Sequence, residues 1–284
     1  MPKIKRKSVE EFVAAGWYLI VILSAIGGQG KTFFSELMAL LMQAAGCKVH
    51  VFSADVQRRL SAKLGDKVVT LDTDLIEAAA DDPLALLRAF SPLSQGVTRS
   101  VEDGSSIVLD TAATWDLPTI KYLHDMRLDQ VVAESGGELL VALVTTSNRD
   151  AMRAMISSTE KVRVALPRAR VVWVLNERVG AVFPADFDAR LVDLEPQQLA
   201  DMRAGVTEII LPRMDDRLWQ PIDRAGLNFV DFVAADPAAL AGLWLDHAGK
   251  RLDPMSAAVV QRRVAAWIAA LMEAASQAVR FPGA

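Results

Sequence analysis

The sequence predicts an α/β fold, a single P-loop domain whose mainly parallel, twisted central sheet is covered by helices on both faces. Three observations point there. Short β-rich runs alternate with helical stretches along all 284 residues. Most of these runs are continuously apolar, as a strand covered on both faces must be, and the segments between them are long enough for crossover helices. The first run, Trp17 to Ser24, passes through Ala25-Ile26-Gly27-Gly28-Gln29-Gly30-Lys31-Thr32 into a helical pattern that starts at Phe33. In such a strand–loop–helix unit the glycines let successive backbone N–H groups face one anion, and the helix adds its positive end. Lys31 reaches the outer phosphates, and the Thr32 hydroxyl can hold Mg²⁺. Nucleoside triphosphate binding is therefore the chemistry expected of the loop from Gly27 to Phe33.

The remaining strands are expected at Lys48–Ser53, Lys67–Leu71, Ser106–Asp110, Glu138–Thr145, Val171–Leu175 and Glu208–Leu211. Helices are expected at Lys31–Ala45, Leu117–Ala133, Arg149–Val164, Pro237–His247 and Ser256–Val279. In the last, Val260, Val264, Trp267, Leu271 and Ala275 recur at helical spacing, a stripe that packs on a core. No repeat, low-complexity tract or interdomain linker divides the chain, so 1–284 reads as one domain, with a basic extension at 1–15 and C-terminal helices at 236–284.

With 52% hydrophobic and 23% charged residues and a net charge of −4, the composition fits a soluble enzyme-sized chain. The lone Cys47 can form no internal disulfide, and a reducing cytoplasm fits. Lys3, Lys5, Arg6 and Lys7 before an apolar stretch imitate a signal peptide. Glu10 and Glu11 interrupt the imitation, and that stretch ends in the phosphate loop. No run reaches the roughly 20 apolar residues of a membrane helix, so no stable membrane insertion is expected.

Two carboxylates stand where strands should end. Asp55, in Ala54-Asp55-Val56-Gln57, can orient water or hold Mg²⁺ through water, because parallel sheets place ligands at that edge; on position alone a capping or surface Asp is an equal reading. Ser106-Ile107-Val108-Leu109-Asp110-Thr111 has the form of a Walker B strand, with Asp110 beside the phosphate loop as a metal-side carboxylate.

With these motifs in order, the chain from about Trp17 to Val230 resembles the ParA/MinD-type ATPases. The resemblance implies that Asp55 is the water-orienting catalytic carboxylate and that Asp110-Thr111 is the metal-side switch. It also implies that Asn176, ending Val171–Asn176, contacts the nucleotide base, and that Pro212 and Arg213 belong to the loop closing around it; a capping or turn role for Asn176 stays open. The implied activity is Mg²⁺-dependent ATP hydrolysis in a nucleotide-dependent homodimer that positions or segregates DNA or another large cargo, as in plasmid partition or conjugative transfer. The guanine-specifying Asn-Lys-x-Asp pattern is absent after the later strands, so ATP is the expected nucleotide.

The departures matter too. The family's loop signature begins with a Lys that reaches the partner subunit's phosphates; here Ile26 stands at that position. Either another cation such as Arg58 or Arg59 compensates, or hydrolysis is slow and nucleotide acts as a conformational ligand. Competing readings are a small-molecule kinase or ATP-dependent synthetase, with Asp55 or Asp116 as base, and a regulatory module with little turnover. The cationic stretch Arg149, Arg153, Lys161, Arg163, Arg168, Arg170 and Arg178 reads either as a DNA-facing surface or as a solvated helix face and loop.

Overall fold

The computed structural model describes residues 16–54, 59–78, 82, 84–113, 115–245 and 249–278. The chain runs β1 (Tyr18–Leu23), α1 (Lys31–Ala44), β2 (Val49–Ser53), α2 (Arg59–Leu64), β3 (Val68–Thr70), α3 (Thr73–Glu77), α4 (Ala85–Ala89), α5 (Ser91–Asp103) and β4 (Ser106–Asp110). It continues with α6 (Asp116–Asp125), α7 (Leu128–Glu134), β5 (Glu138–Thr145), α8 (Arg149–Ala165), β6 (Arg170–Asn176), α9 (Pro196–Ala204) and β7 (Thr207–Leu211). It closes with α10 (Asp216–Arg224), α11 (Phe229–Ala234), α12 (Pro237–Leu240) and α13 (Pro254–Ala278).

The seven strands form one sheet in the order β3-β2-β4-β1-β5-β6-β7, and every pairing is parallel. Strand alternation feeds two cores. Leu19, Val21 and Leu23 of β1 face a layer that includes Leu93 and Val97 of α5, Leu123 of α6, Val132 of α7 and Met155 of α8. Tyr18, Ile20 and Ile22 face the other, with Phe34 and Leu37 of α1, Phe232 of α11 and Val264, Ile268 and Leu271 of α13. Burial on both faces is what a continuously apolar strand requires, and all seven expected strands are present.

The sheet also decides where a ligand can sit. From β1 the chain passes through α1 to β2 on one side, whereas from β4 it passes through α6 and α7 to β5 on the other. Connections that part in this way open a crevice outside the C-terminal ends of the strands. The phosphate loop leaves β1 there, and Ile22 is in register with Asp110 of β4.

Besides α2, α3, α4, α9, α10 and α11, which were not expected, helices departed from expectation in three places. The expected Leu117–Ala133 helix is two, because Arg127 adopts a left-handed conformation (φ 49°, ψ 40°) and turns the chain so that α7 can bury Leu128 and Val132. The expected Pro237–His247 helix stops after α12 and a 3₁₀ turn at Ala241–Leu243. There Trp244 is extended, buried against Phe232 and hydrogen-bonded through Nε1 to the Leu218 carbonyl; His247 lies outside the described residues. Helix α5 was not expected, because its Ser, Thr and Gly content reads as loop. Gly96 is there for contact: a Cβ at this position would come within 2.7 Å of the Phe52 ring. In α13 the expected stripe does pack, with Val264, Leu271 and Ala275 fully buried, while Val260 and Trp267 are half-buried. The 1–15 extension lies outside the described residues, and no helix among those described is long and apolar enough to cross a membrane.

Candidate functional site

The segment between β1 and α1 curls because two glycines take left-handed backbone, Gly28 at φ 76° and Gly30 at φ 101°. An added Cβ on Gly30 would also lie 2.5 Å from Asn176 Nδ2. Side chains from neighbouring strand ends hold the curl. Gln29 is buried; its Nε2 donates to the Gly27 carbonyl at 3.0 Å, and its Oε1 accepts from Thr146 N at 3.0 Å and Thr146 Oγ1 at 2.7 Å. Asn176 Nδ2 donates to the Gln29 carbonyl at 2.8 Å. The loop is thus tied to the ends of β5 and β6, and the position occupied by Gln29, variable in the sequence motif, forms one of the cross-links.

At the start of α1, Lys31 is buried and donates from Nζ to the Ser24 carbonyl at 3.2 Å. Thr32 Oγ1 donates to Asp110 Oδ2 at 3.0 Å, and Ser35 Oγ lies 2.9 Å from Asp110 Oδ1. Asp110 has no solvent exposure; the Thr32 hydroxyl donates to one of its oxygens, and the single Ser35 proton is shared between the other and the Lys31 carbonyl at 3.0 Å. Among the described residues no group of three or more His, Cys, Asp or Glu could hold a metal by itself. One hydroxyl and one carboxylate beside an anion-binding loop is instead a set suited to Mg²⁺, which keeps waters and shares ligands with substrate phosphates. Thr111 Oγ1 is turned away to the Ile22 carbonyl at 2.8 Å.

A cavity of about 740 Å³ opens at this edge, within the usual range for small-molecule sites. Its lining brings together Gly27, Gly28, Gln29, Gly30, Lys31, Thr32, Phe33, Asn176 and Pro212, all of them expected from sequence. Arg213 is exposed and Ile26 half-buried, and both lie outside the lining. Asp55, Gln57 and Arg58 lie outside the described residues; Arg59 lines the cavity. Sequence reasoning missed Lys63, Arg178, Met214, Asp216, Trp219, Asp223 and Trp267. Their signal was weak, because Trp219 and Trp267 sit on helices whose apolar spacing reads as core.

Two buried ionisable groups flank the site. Asp116 is held by Ser158 Oγ at 3.2 Å. Burial pushes its carboxyl above the usual range, against the pull of Lys31 and that hydrogen bond. It lies outside the cavity lining, as Asp110 does, within electrostatic reach of Lys31. On the other flank Lys63 Nζ sits 2.9 Å from Glu36 Oε2 and 2.8 Å from Asp223 Oδ1. Burial pulls the lysine down, but Glu36 and Asp223 together hold it above its usual value. Burial raises Glu36 despite Lys63, because Glu36 is the deeper partner and Asp223 repels it. Lys63 therefore stays charged, and Glu36 is the strained member of the pair.

No protein-family model matches the chain, and no curated protein matches it. Solved structures are similar to it. A chain of the MinC:MinD cell division protein complex from Aquifex aeolicus is 14% identical, with 87% of this chain and 95% of that one covered and a TM-score of 0.45. The septum site-determining protein MinD with Mg-ADP from Pyrococcus horikoshii OT3 is 17% identical over 74% and 86%, with a TM-score of 0.44. McdA from Cyanothece in complex with ATP is 12% identical over 92% and 97%, with a TM-score of 0.46. The α/β class itself stands on the parallel sheet described above.

The cationic stretch is spread over α8, the loop after it and both ends of β6. Arg170 begins β6 and pairs with Glu138 at 2.7 Å, whereas Arg178 follows the end of β6 and grips Asp216 at 3.0 and 3.2 Å. A seven-residue strand separates them by roughly 20 Å. Arg153 pairs with Asp193 and Arg168 with Glu134.

Proposed function

We propose that the chain is a ParA-like switch ATPase whose nucleotide-controlled association positions or segregates DNA or another large cargo, in a setting such as plasmid partition or conjugative transfer. One observation carries the reading. A cavity at the C-terminal strand ends is lined by the glycine loop, Lys31 and Thr32, and Thr32 is hydrogen-bonded to the buried Asp110 behind the lining. The loop N–H groups and the start of α1 bind the phosphates of ATP, and Lys31 exchanges the Ser24 carbonyl for phosphate oxygens. Mg²⁺, held by Thr32 and Asp110, supplies neutralisation of phosphate charge. Asp55 orients the attacking water. Because Asp110 ends β4, ligation at Thr32 biases the Thr111–Ala113 segment that follows it, and this is how occupancy reaches a homodimer or partner surface.

Ile26 cannot donate to a phosphate across a subunit boundary, so basal turnover is low and other contacts hold any ATP-dependent dimer. The reading is tested by phosphate release, with and without DNA, together with light scattering in ATP and in ADP. Lys31→Ala should abolish high-affinity ATP binding. Asp55→Ala should keep binding and prolong the ATP-bound assembly, and Asp110→Ala should remove the Mg²⁺ dependence of binding. A folded Lys31→Ala variant with the parent's ATP affinity would sink the site; an ATP-saturated chain with the oligomeric state of its ADP form would sink the switch.

A further inference from the structure

Asp116, the first residue of α6, is a carboxylate that the phosphate chemistry leaves unused. It is only 3% exposed. Ser158 Oγ of α8 donates to its Oδ2 at 3.2 Å, while Oδ1 has no hydrogen-bond partner among the described residues. A buried carboxylate with an open oxygen is costly in its charged form unless a cation stands near. Two do: Lys31 at the start of α1 attracts it most strongly, and Lys161 of α8 adds a smaller pull. The other charged residues on helices that touch α6 are engaged elsewhere, Arg88 of α4 with Asp82 and Asp129 and Glu134 of α7 with Arg168. Lys121 of α6 itself pairs with Asp125. Burial outweighs all these attractions and keeps the carboxyl above its usual range.

Lys31 therefore faces two demands. Its Nζ donates to the Ser24 carbonyl at 3.2 Å, and the Ser24 N–H helps Lys31 favour the ionised form of Asp116. An incoming triphosphate competes for the same cation and, even with Mg²⁺, brings net negative charge to the loop. A carboxylate that solvent does not screen feels that charge strongly. We infer that Asp116 is a proton acceptor linked to the phosphate site: it is ionised while Lys31 serves it, and takes a proton from water on Oδ1 when phosphates draw Lys31 away. This rests on the reading of the phosphate loop proposed above. Ionised Asp116 then opposes phosphate binding, binding consumes up to one proton, and ATP affinity rises as pH falls.

The test uses the full chain in saturating Mg²⁺, titrated by calorimetry with ATP and with inorganic tripolyphosphate from pH 5 to pH 8. Each titration is repeated in two buffers of different ionisation enthalpy, so that the protons taken up are counted directly. Asp116→Asn keeps the shape of the side chain and removes the titrating group, and it supplies the baseline for protons bound by the ligand itself. At its maximum the parent should take up about half a proton or more beyond that baseline, and its affinity should fall by up to about tenfold per pH unit relative to Asp116→Asn. Asp116→Asn should bind ATP more tightly than the parent at pH 8. Ser158→Ala removes a hydrogen bond that favours the ionised form, so its uptake maximum should move to higher pH. Tripolyphosphate should give the same uptake as ATP, because only phosphate charge is involved.

Equal proton uptake by the parent and Asp116→Asn at every pH overturns the inference, as does an Asp116→Asn variant that binds ATP no more tightly than the parent at pH 8. If Asp116→Asn does not fold, Ser158→Ala decides, and an uptake maximum that stays in place or moves to lower pH overturns the linkage. In those cases the parent's ATP binding leaves the phosphate-loop reading standing. A parent that binds neither ATP nor tripolyphosphate sinks both.

Discussion

Replacing Lys63 with Met removes a cation from between two carboxylates and keeps most of the apolar stem. The consequences differ for the two partners. Asp223 has a side chain 54% exposed and is left to water, where an exposed pair is worth at most about 1 kcal/mol. Glu36 is 0% exposed, and after the substitution it retains the Phe229 N–H at 3.1 Å. A buried carboxylate stripped of its cation costs about 3–5 kcal/mol, several times the exposed pair, so Glu36 dominates the loss. Burial already raises Glu36 above its ordinary 4.5, and losing Lys63 raises it further. A raised folded-state value means that the folded chain holds the proton more tightly, so the variant loses stability as pH climbs through that value. The slope approaches about 1.4 kcal/mol per pH unit until the charged form dominates. Urea denaturation at pH 5 and pH 8 should show a larger deficit at pH 8, and Lys63→Met with Glu36→Met should cost far less than the two single losses added together. The reasoning is refuted if Lys63→Met stays within about 1 kcal/mol of the parent at pH 8, or if the double variant is additive.

Three further outcomes are expected. Gly30→Ala places a Cβ on left-handed backbone and against Asn176 Nδ2, so calorimetry should show ATP binding lost while the melting temperature falls modestly. Asp116→Asn should flatten the stability curve on the acid side: burial raises this carboxyl above 3.8, so the parent loses stability as pH rises from 3.8 through the folded value. A variant with the parent's slope, followed by urea midpoints, would assign that slope elsewhere. Ile26→Lys should raise phosphate release or ATP-dependent dimerisation, and a folded, ATP-binding variant that does neither argues that subunits do not meet through their nucleotide faces.

The strands were legible because burial on both faces leaves continuous apolar runs; Tyr18–Leu23 and Ser106–Asp110 needed no tertiary information. Some helices were hidden for the converse reason. Gly96 in α5 reads as a breaker until Phe52 is seen against it. Arg127 breaks α6 from α7 without a glycine or proline to mark it, because packing Leu128 and Val132 outweighs the roughly 1–3 kcal/mol of left-handed strain. The site divides in the same way. Its phosphate end is a local motif within one strand–loop–helix unit. Its aromatic end is assembled from Phe33 and, more than 180 residues further along the chain, Trp219 and Trp267, on helices whose spacing is that of any core stripe.

One turn of α1 joins the two ends. Thr32 and Phe33 are adjacent in sequence and therefore about 100° apart around the helix axis. Thr32 reaches Asp110 at 3.0 Å, while Phe33 lies 5.2 to 5.5 Å from the rings of Phe229, Trp219 and Trp267. The separation of phosphate end from aromatic end is thus fixed by helix geometry. Movement of α10 or α13 alters the aromatic end without disturbing Thr32 or Asp110. Substitutions confined to those helices should therefore leave the affinity for phosphates untouched, which titration with inorganic tripolyphosphate measures.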